Sequence, residues 1–167
     1  SSWQKIGNDL SGTNGEQFGY SLSINSIGNI IAVGAPFSNI NGTDSGVVRI
    51  YENISNSWSK IGEDLTGTNG EQFGYSVSID GTGGIIAIGA PYYSSGNYGY
   101  YKNDGRVIIY NYTGSIWQQK GNNYITGDGN GDKSGYSVSL SKDGKRLAIG
   151  APYNGSNSSG NVRIYHF

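Results

Sequence analysis

The residues best suited to chemistry lie between positions 128 and 134. Asp128, Asn130, Asp132 and Ser134 stand at alternate positions, so their side chains could bring oxygen ligands onto one hard cation such as Ca2+. The stretch departs from an EF-hand loop, because Lys133 stands where glycine is required and Ser139 where a bidentate Glu belongs. Asp128 and Asp132 are also the closest carboxylate pair in the loops of interest, the residue types that cleave glycosidic bonds. Nucleophilic catalysis has little to draw on. The only histidine is His166, and a residue so close to the end of the sequence is poorly placed for a Ser-His-Asp relay. The absence of cysteine excludes disulfides, thiolate metal sites and a Cys nucleophile. The Gly127-x-Gly129-x-Gly131 run is followed by no helical pattern, so it is no phosphate loop. Tyr92, Tyr93, Tyr98, Tyr100 and Tyr101 are the candidate ligand-binding residues, since loop tyrosines supply rigid amphipathic area and stack on sugars.

Composition narrows the classes of partner. Only 14% of the 167 residues are charged and the formal net charge is −1, with no Lys/Arg stripe for nucleic acid. No apolar run approaches the ~20 residues of a membrane-spanning helix, and Ser1-Ser2-Trp3 does not open a signal peptide. The 29 glycines and 14 tyrosines, with many Ser, Asn and Ile, indicate short strands joined by tight turns. Asn41, Asn53, Asn111, Asn154 and Asn157 head N-x-Ser/Thr sequons and are candidate glycosylation sites in a secreted setting.

The elements that would position these residues come in three copies. Phe18-Gly19-Tyr20-Ser21 recurs as Phe73-Gly74-Tyr75-Ser76 and, with one change, as Ser134-Gly135-Tyr136-Ser137. A Gly-Ala-Pro follows each time, ending at Pro36, Pro91 and Pro152. The repeats run approximately over residues 3–57, 58–116 and 117–167, forming a single repeat domain over 1–167. Each predicts four strands. The first is Trp3–Gly7, with Trp58–Gly62 and Trp117–Gly121. The second alternates apolar residues with serine from Tyr20, Tyr75 and Tyr136, so its faces differ. The third is a continuous apolar run (30–35, 85–90 and 146–151), which predicts cover on both faces. The fourth follows Gly46, Gly105 and Gly160. The Asn-Gly-acid core before the second strand recurs as Asn14-Gly15-Glu16, Asn69-Gly70-Glu71 and Asn130-Gly131-Asp132. A residue kept in every unit is more simply a turn-maker than a ligand for Ca2+ at Asp128, Asn130 and Asp132. No cofactor or bound metal is therefore expected to be needed for folding.

Four antiparallel strands covered on both faces describe a β-propeller blade, with a twelve-stranded sandwich as the alternative. The chain resembles the FG-GAP repeats of integrin-α-type β-propellers in their microbial and algal form, and the resemblance covers all three units. The turns between the second and third strands hold at most one acid each, so that family's calcium loop is missing. The fold expected is all-β, three four-stranded antiparallel blades with the Tyr/Ser strand innermost. Three blades fall short of the ~4–8 of a propeller, and the third unit is not followed by a Trp strand. A homodimer that exchanges Trp3–Gly7 and closes a six-bladed ring is therefore the expected partner arrangement. The resemblance implies a non-catalytic extracellular or cell-surface module for adhesion, binding protein or glycan through loops on one face. The alternatives are a building block of a fibre, appendage or virion exterior and, less favoured, a glycoside hydrolase.

Overall fold

A computed structural model describes residues 2–96, 102–121 and 124–167. The chain is all-β and its strands form three antiparallel sheets. In the first sheet β1 (Ser21–Ile24), β2 (Ile30–Ala35), β3 (Val47–Ile54) and β4 (Ser57–Lys60) lie side by side, and the short β5 (Leu65–Thr66) pairs with the start of β3. The second repeats this arrangement with β6 (Ser76–Ile79), β7 (Ile85–Ala90), β8 (Arg106–Tyr112), β9 (Trp117–Gln119) and β10 (Ile125–Thr126). The third has β11 (Ser137–Leu140), β12 (Arg146–Ala151) and β13 (Asn161–His166). Register is the same throughout: Ser21, Ser76 and Ser137 stand opposite Gly34, Gly89 and Gly150. Among the described residues no helix is long and apolar enough to cross a membrane.

Three features differ from the sequence expectation. The third sheet has three strands rather than four, because among the described residues no segment pairs with the outer side of β13. Trp3–Gly7 forms no strand, and Trp3 is fully exposed. A strand needs a ladder partner, and this segment instead flanks β4 and the turn before it, where Gly7 N donates to Asn56 Oδ1 and Ile6 O accepts from Trp58 Nε1, both at 3.1 Å. The two-residue strands β5 and β10 were not anticipated. They make five-stranded sheets of two units expected to have four strands, by pairing Leu65 with Val48 and Ile125 with Val107.

The sheets stack face to face. Ala32, Val48 and Ile50 of the first sheet share a core with Phe73, Val77, Ile79, Ile86 and Ile88 of the second unit. On the second sheet's other face Ala87, Val107 and Ile109 share a core with Leu147 and Ile149. The third stretch of the middle unit is covered from both sides, as β7 shows, but β12 of the third unit starts with the exposed Arg146 and alternates buried with more open positions, because one face of its sheet has no neighbour. The serines of the second stretch act as stitches between sheets. Ser21 Oγ donates to Gly74 O and Ser76 Oγ to Gly135 O, both at 2.7 Å. Ser23 Oγ and Ser78 Oγ accept the amides of Ile79 and Leu140 at 3.1 and 2.9 Å. A Cβ at Gly34 or Gly89 would collide with the carbonyl of Gly74 or Gly135, so glycine sets how closely the sheets approach.

Phe73 is wholly buried between the first two sheets. Phe73→Ala should cost about 3–5 kcal/mol of stability, the range for emptying a buried aromatic site. Urea denaturation measures it, and a loss below about 1 kcal/mol would contradict the packing described.

Candidate functional site

The repeat places two aromatic residues per unit at the same end of the sheets: the Tyr of Phe-Gly-Tyr-Ser and the residue after Gly-Ala-Pro. A tight turn presents each tyrosine at the start of an edge strand. Its first member has left-handed backbone (Gln17, Gln72 and Lys133, φ 51°, 54° and 53°), and the amides of Tyr20, Tyr75 and Tyr136 bond back to it at 3.1 Å. The rings then meet across the sheets. Tyr20 and Tyr75 have centroids 5.0 Å apart, and Tyr75 and Tyr136 are 4.9 Å apart. Phe37, Tyr92 and Tyr153 flank them edge-on at 5.7, 6.1 and 6.2 Å. Lys133 Nζ lies 4.6 Å from the Tyr92 ring centre and 4.4 Å from that of Tyr153. Burial pushes the Tyr75 phenol up, helped by hydrogen bonding to Tyr136 and Tyr20, so it remains a neutral donor. The row is thus six rings and one cation, with Tyr20 and Tyr153 partly open to solvent.

The five tyrosines named from the sequence divide. Tyr92 belongs to the row. Tyr93 turns away and packs on Tyr124, with centroids 5.2 Å and hydroxyls 2.7 Å apart. The Arg106 guanidinium covers both rings at 4.2 and 4.8 Å. Burial, then the bond to Tyr124, pushes the Tyr93 phenol up to about 12. Tyr98, Tyr100 and Tyr101 lie outside the described residues. The sequence reading missed Tyr20, Tyr75 and Tyr136 as site residues, although their recurrence in every unit was the available signal.

The recurring acids close their own turns. Thr13 N donates to Glu16 Oε1 at 2.8 Å and Thr68 N to Glu71 Oε1 at 2.6 Å, while Asp132 Oδ2 accepts from Asp128 N and Gly129 N at 3.0 and 2.7 Å. All three carboxylates are buried and carry a polar partner: Arg49 on Glu16 and Arg106 on Glu71 at 2.7 Å each, Asn154 Nδ2 on Asp132 at 2.7 Å. The alternation at Asp128, Asn130 and Asp132 does not bring its carboxylates onto one point, because Asp128 pairs with Arg163 while Asp132 folds onto its own turn. Among the described residues no three His, Cys, Asp or Glu side chains gather as a metal site would require. His166 sits opposite Arg146 in the β12–β13 ladder. Of the sequon asparagines, Asn41 Nδ2 is held by Gly67 O at 2.8 Å and Asn154 by Asp132, Asn53 and Asn111 lie in β3 and β8, and Asn157 lies in the turn before β13.

Between these turns and the aromatic row lie two matching cavities. Thr13, Asn14, Glu16 and Phe37 line one of about 350 Å3. Thr68, Asn69, Glu71 and Tyr92 line the other, of about 170 Å3. Each has an apolar ring as one wall and hydroxyl, amide and carboxylate groups opposite, the mixture that small polar ligands fill. The chain matches no protein-family model and no curated protein.

The acid turns carry a pH signature. Burial works to raise the Glu16 carboxyl, but the Arg49 hydrogen bond and the Thr13 amide outweigh it and hold it below its ordinary 4.5. Asp64, which shares Arg49, is likewise held below 3.8 against its burial by Lys60 and Arg49. A lowered folded value stabilises the fold above the unfolded value and is lost as pH falls through the folded one. Stability should therefore drop as pH falls below about 4.5. Glu16→Gln should lose about 1–3 kcal/mol at pH 7 and show a shallower acid limb. Urea midpoints between pH 3 and 7 check this, and an unchanged acid limb in the variant would contradict the pairing.

Proposed function

We propose that the three sheets are blades of a β-propeller and that the chain is a non-catalytic recognition module, binding glycan or protein through the end that carries the aromatic row. The aromatic row is the observation that carries the reading. Rings packed tilted and edge-on against one another give a ligand apolar area at little entropic cost, and the phenols and Lys133 give it hydrogen bonds and charge. The two cavities beside the row suit sugar-sized groups. The sheet order and the face-to-face stacking support the blade reading, as do the Phe-Gly and Gly-Ala-Pro signatures of FG-GAP repeats. An extracellular or cell-surface location follows from that resemblance. The hydrolase reading has less to stand on, because Asp128 and Asp132 are engaged with Arg163 and Asn154 rather than facing one another across a cleft. The building-block reading draws on a different observation, the uncovered outer sheet faces taken up below.

A glycan array followed by calorimetry tests the reading. Tyr92→Ala and Tyr153→Ala should each weaken binding at least tenfold, the order that losing one stacked ring of about 1.4 kcal/mol produces, with little change in circular dichroism. Asp143→Asn, at the opposite end of the third sheet, should bind as the unaltered chain does. A ligand whose affinity is indifferent to both tyrosines would overturn the proposed face, and an array with no ligand would overturn the glycan arm.

A further inference from the structure

The junction between neighbouring sheets is built twice inside this chain, from the same parts in the same geometry. At the first junction the carbonyls of Thr43, Asp44, Ser45 and Gly46 accept the amides of Gly70, Gln72, Phe73 and Gly67. At the second, Lys102, Asn103, Asp104 and Gly105 accept from Gly131, Lys133, Ser134 and Gly127. The chain holds a third copy of each half, and these two halves are not joined. The donor half is Gly12, Gly15, Gln17 and Phe18, whose amides reach no backbone carbonyl among the described residues. Its turn is already shaped, with Gln17 at φ 51° like Gln72 at 54°. The acceptor half is residues 157–160. There Ser158 and Gly160 have φ 54° and 74°, as Asn103 and Gly105 have 47° and 74°.

The side chains repeat the pattern. Val162 and Ile164 on β13 are 69% and 74% exposed, whereas Val48 and Ile50, their counterparts on β3, are fully buried by the second sheet. Leu22 and Ile24 on β1 are 61% and 51% exposed, whereas Val77 and Ile79 on β6 are 8% and 7% exposed beneath the first sheet. Gly34 and Gly89 are pressed by the carbonyl of the next sheet, but Gly150 meets only Ser137 of its own sheet. Beside it a cavity of about 470 Å3, lined by Ser137, Gly150, Gly160 and Val162, occupies the place that Phe73 and Gly74 fill at the first junction.

The outer edge completes the correspondence. Ile61 O accepts from Trp117 Nε1 at 3.2 Å, just as Ile6 O accepts from Trp58 Nε1. Residues 3–7 therefore already lie where the outer strand of a preceding sheet would run, and among the described residues no outer strand pairs with β13 of the third sheet. In the existing sheets Lys60 stands opposite Tyr51 and Gln119 opposite Tyr110, while Leu65 stands opposite Val48 and Ile125 opposite Val107.

We infer that the open face of the third sheet receives the open face of the first sheet of a second copy of this chain, and that two copies close head to tail into one ring. The register is fixed: Lys5 pairs opposite the partner's Tyr165 and Leu10 opposite the partner's Val162. Ser137 Oγ donates to the partner's Gly19 carbonyl, and Val162 and Ile164 cover the partner's Leu22 and Ile24. Each face is unlike itself and complementary to the other, so the contact is heterologous and must either close or run on as a fibre. Two copies of three sheets give six blades, inside the ~4–8 that propellers use, while three copies would exceed it. The inference rests on the blade reading of the proposed function but not on any ligand, so an array without a hit leaves it standing.

Sedimentation equilibrium of the unaltered chain should give twice the 17.7 kDa chain mass. The chain has no cysteine, so Lys5→Cys combined with Tyr165→Cys is a clean probe. After oxidation this double variant should run as a covalent dimer and no further on a non-reducing gel, with neither single variant doing so. Gly150→Ala, whose new methyl would turn the Ser137 hydroxyl aside within the chain and meet the partner's Gly19 carbonyl, should raise the dimer dissociation constant at least tenfold, while circular dichroism of the separated chain stays unchanged because only the end of a flexible hydroxyl has to move. A chain that sediments as a monomer at tens of micromolar overturns the inference and leaves a further, non-identical repeat as the occupant of the face. A ladder of cross-linked species beyond the dimer overturns the closure. A dimer that gives no cross-link, or that ignores Gly150→Ala, overturns the register.

Discussion

The structure depends on how closely one sheet's backbone can approach the next. At Gly34 and Gly89 there is no room for a Cβ beside the carbonyls of Gly74 and Gly135. Those carbonyls are not left unsatisfied, because Ser21 and Ser76 reach across and donate to them. Close approach and polar satisfaction come from one residue pair, Ser opposite Gly, fixed by the register of each edge hairpin. The tyrosine contacts of about 5 Å follow from it. So does the burial of Val77 and Ile79 against the first sheet. Widening that gap by a methyl group would strand a buried carbonyl and open the apolar core together, and both are costly.

The acid turns solve a second problem created by the same geometry. The chain must cross from the outer edge of one sheet to the inner edge of the next through a region walled by apolar rings. A carboxylate at Glu16, Glu71 or Asp132 caps the backbone amides of that crossing. Taking it out of water is offset only because an arginine or an asparagine meets it. Arg106 further covers Tyr93 and Tyr124, which ties the crossing to the loop before β8. The loops at this end are therefore anchored at their bases by buried carboxylates, paired with arginine at Glu16 and Glu71 and with Asn154 at Asp132, and the aromatic groups they display are held rather than loose.

Much of this was legible in the sequence and some was not. The three units, the strand with two faces and the strand covered on both sides follow from periods and repeats, which local geometry dictates. Turn-making by Glu16, Glu71 and Asp132 was readable from their recurrence. The site was read less well, because a tyrosine-rich loop stands out in composition whereas Tyr20, Tyr75 and Tyr136 are separated by a whole repeat and meet only once the sheets stack. Tyr93 belonged to the same composition cluster, yet its place on Arg106 and Tyr124 depends on a partner thirty-odd residues away. Trp3–Gly7 has the strand pattern of its repeats without a strand's structure, since a ladder needs two sides and the pattern encodes only one.

The uncovered sheet faces and the aromatic row bear on one another. Within the chain each tyrosine of the row is flanked by the one from the neighbouring unit, so the row is open at Tyr20 and at Tyr136 for the same reason that the sheets are open. Joining the third sheet to the first sheet of a second copy would set Tyr136 beside the partner's Tyr20 at the spacing that already separates Tyr20 from Tyr75. The row would then return on itself around an axis, with the cavities beside it repeated by symmetry. A ligand presenting several copies of one group would meet several equivalent sites held at fixed separation, and its second contact would be made at an effective concentration set by the ring rather than by bulk solution. Assembly and recognition would thus draw on the same few residues, and the glycines that let the sheets approach would also set the spacing of the sites.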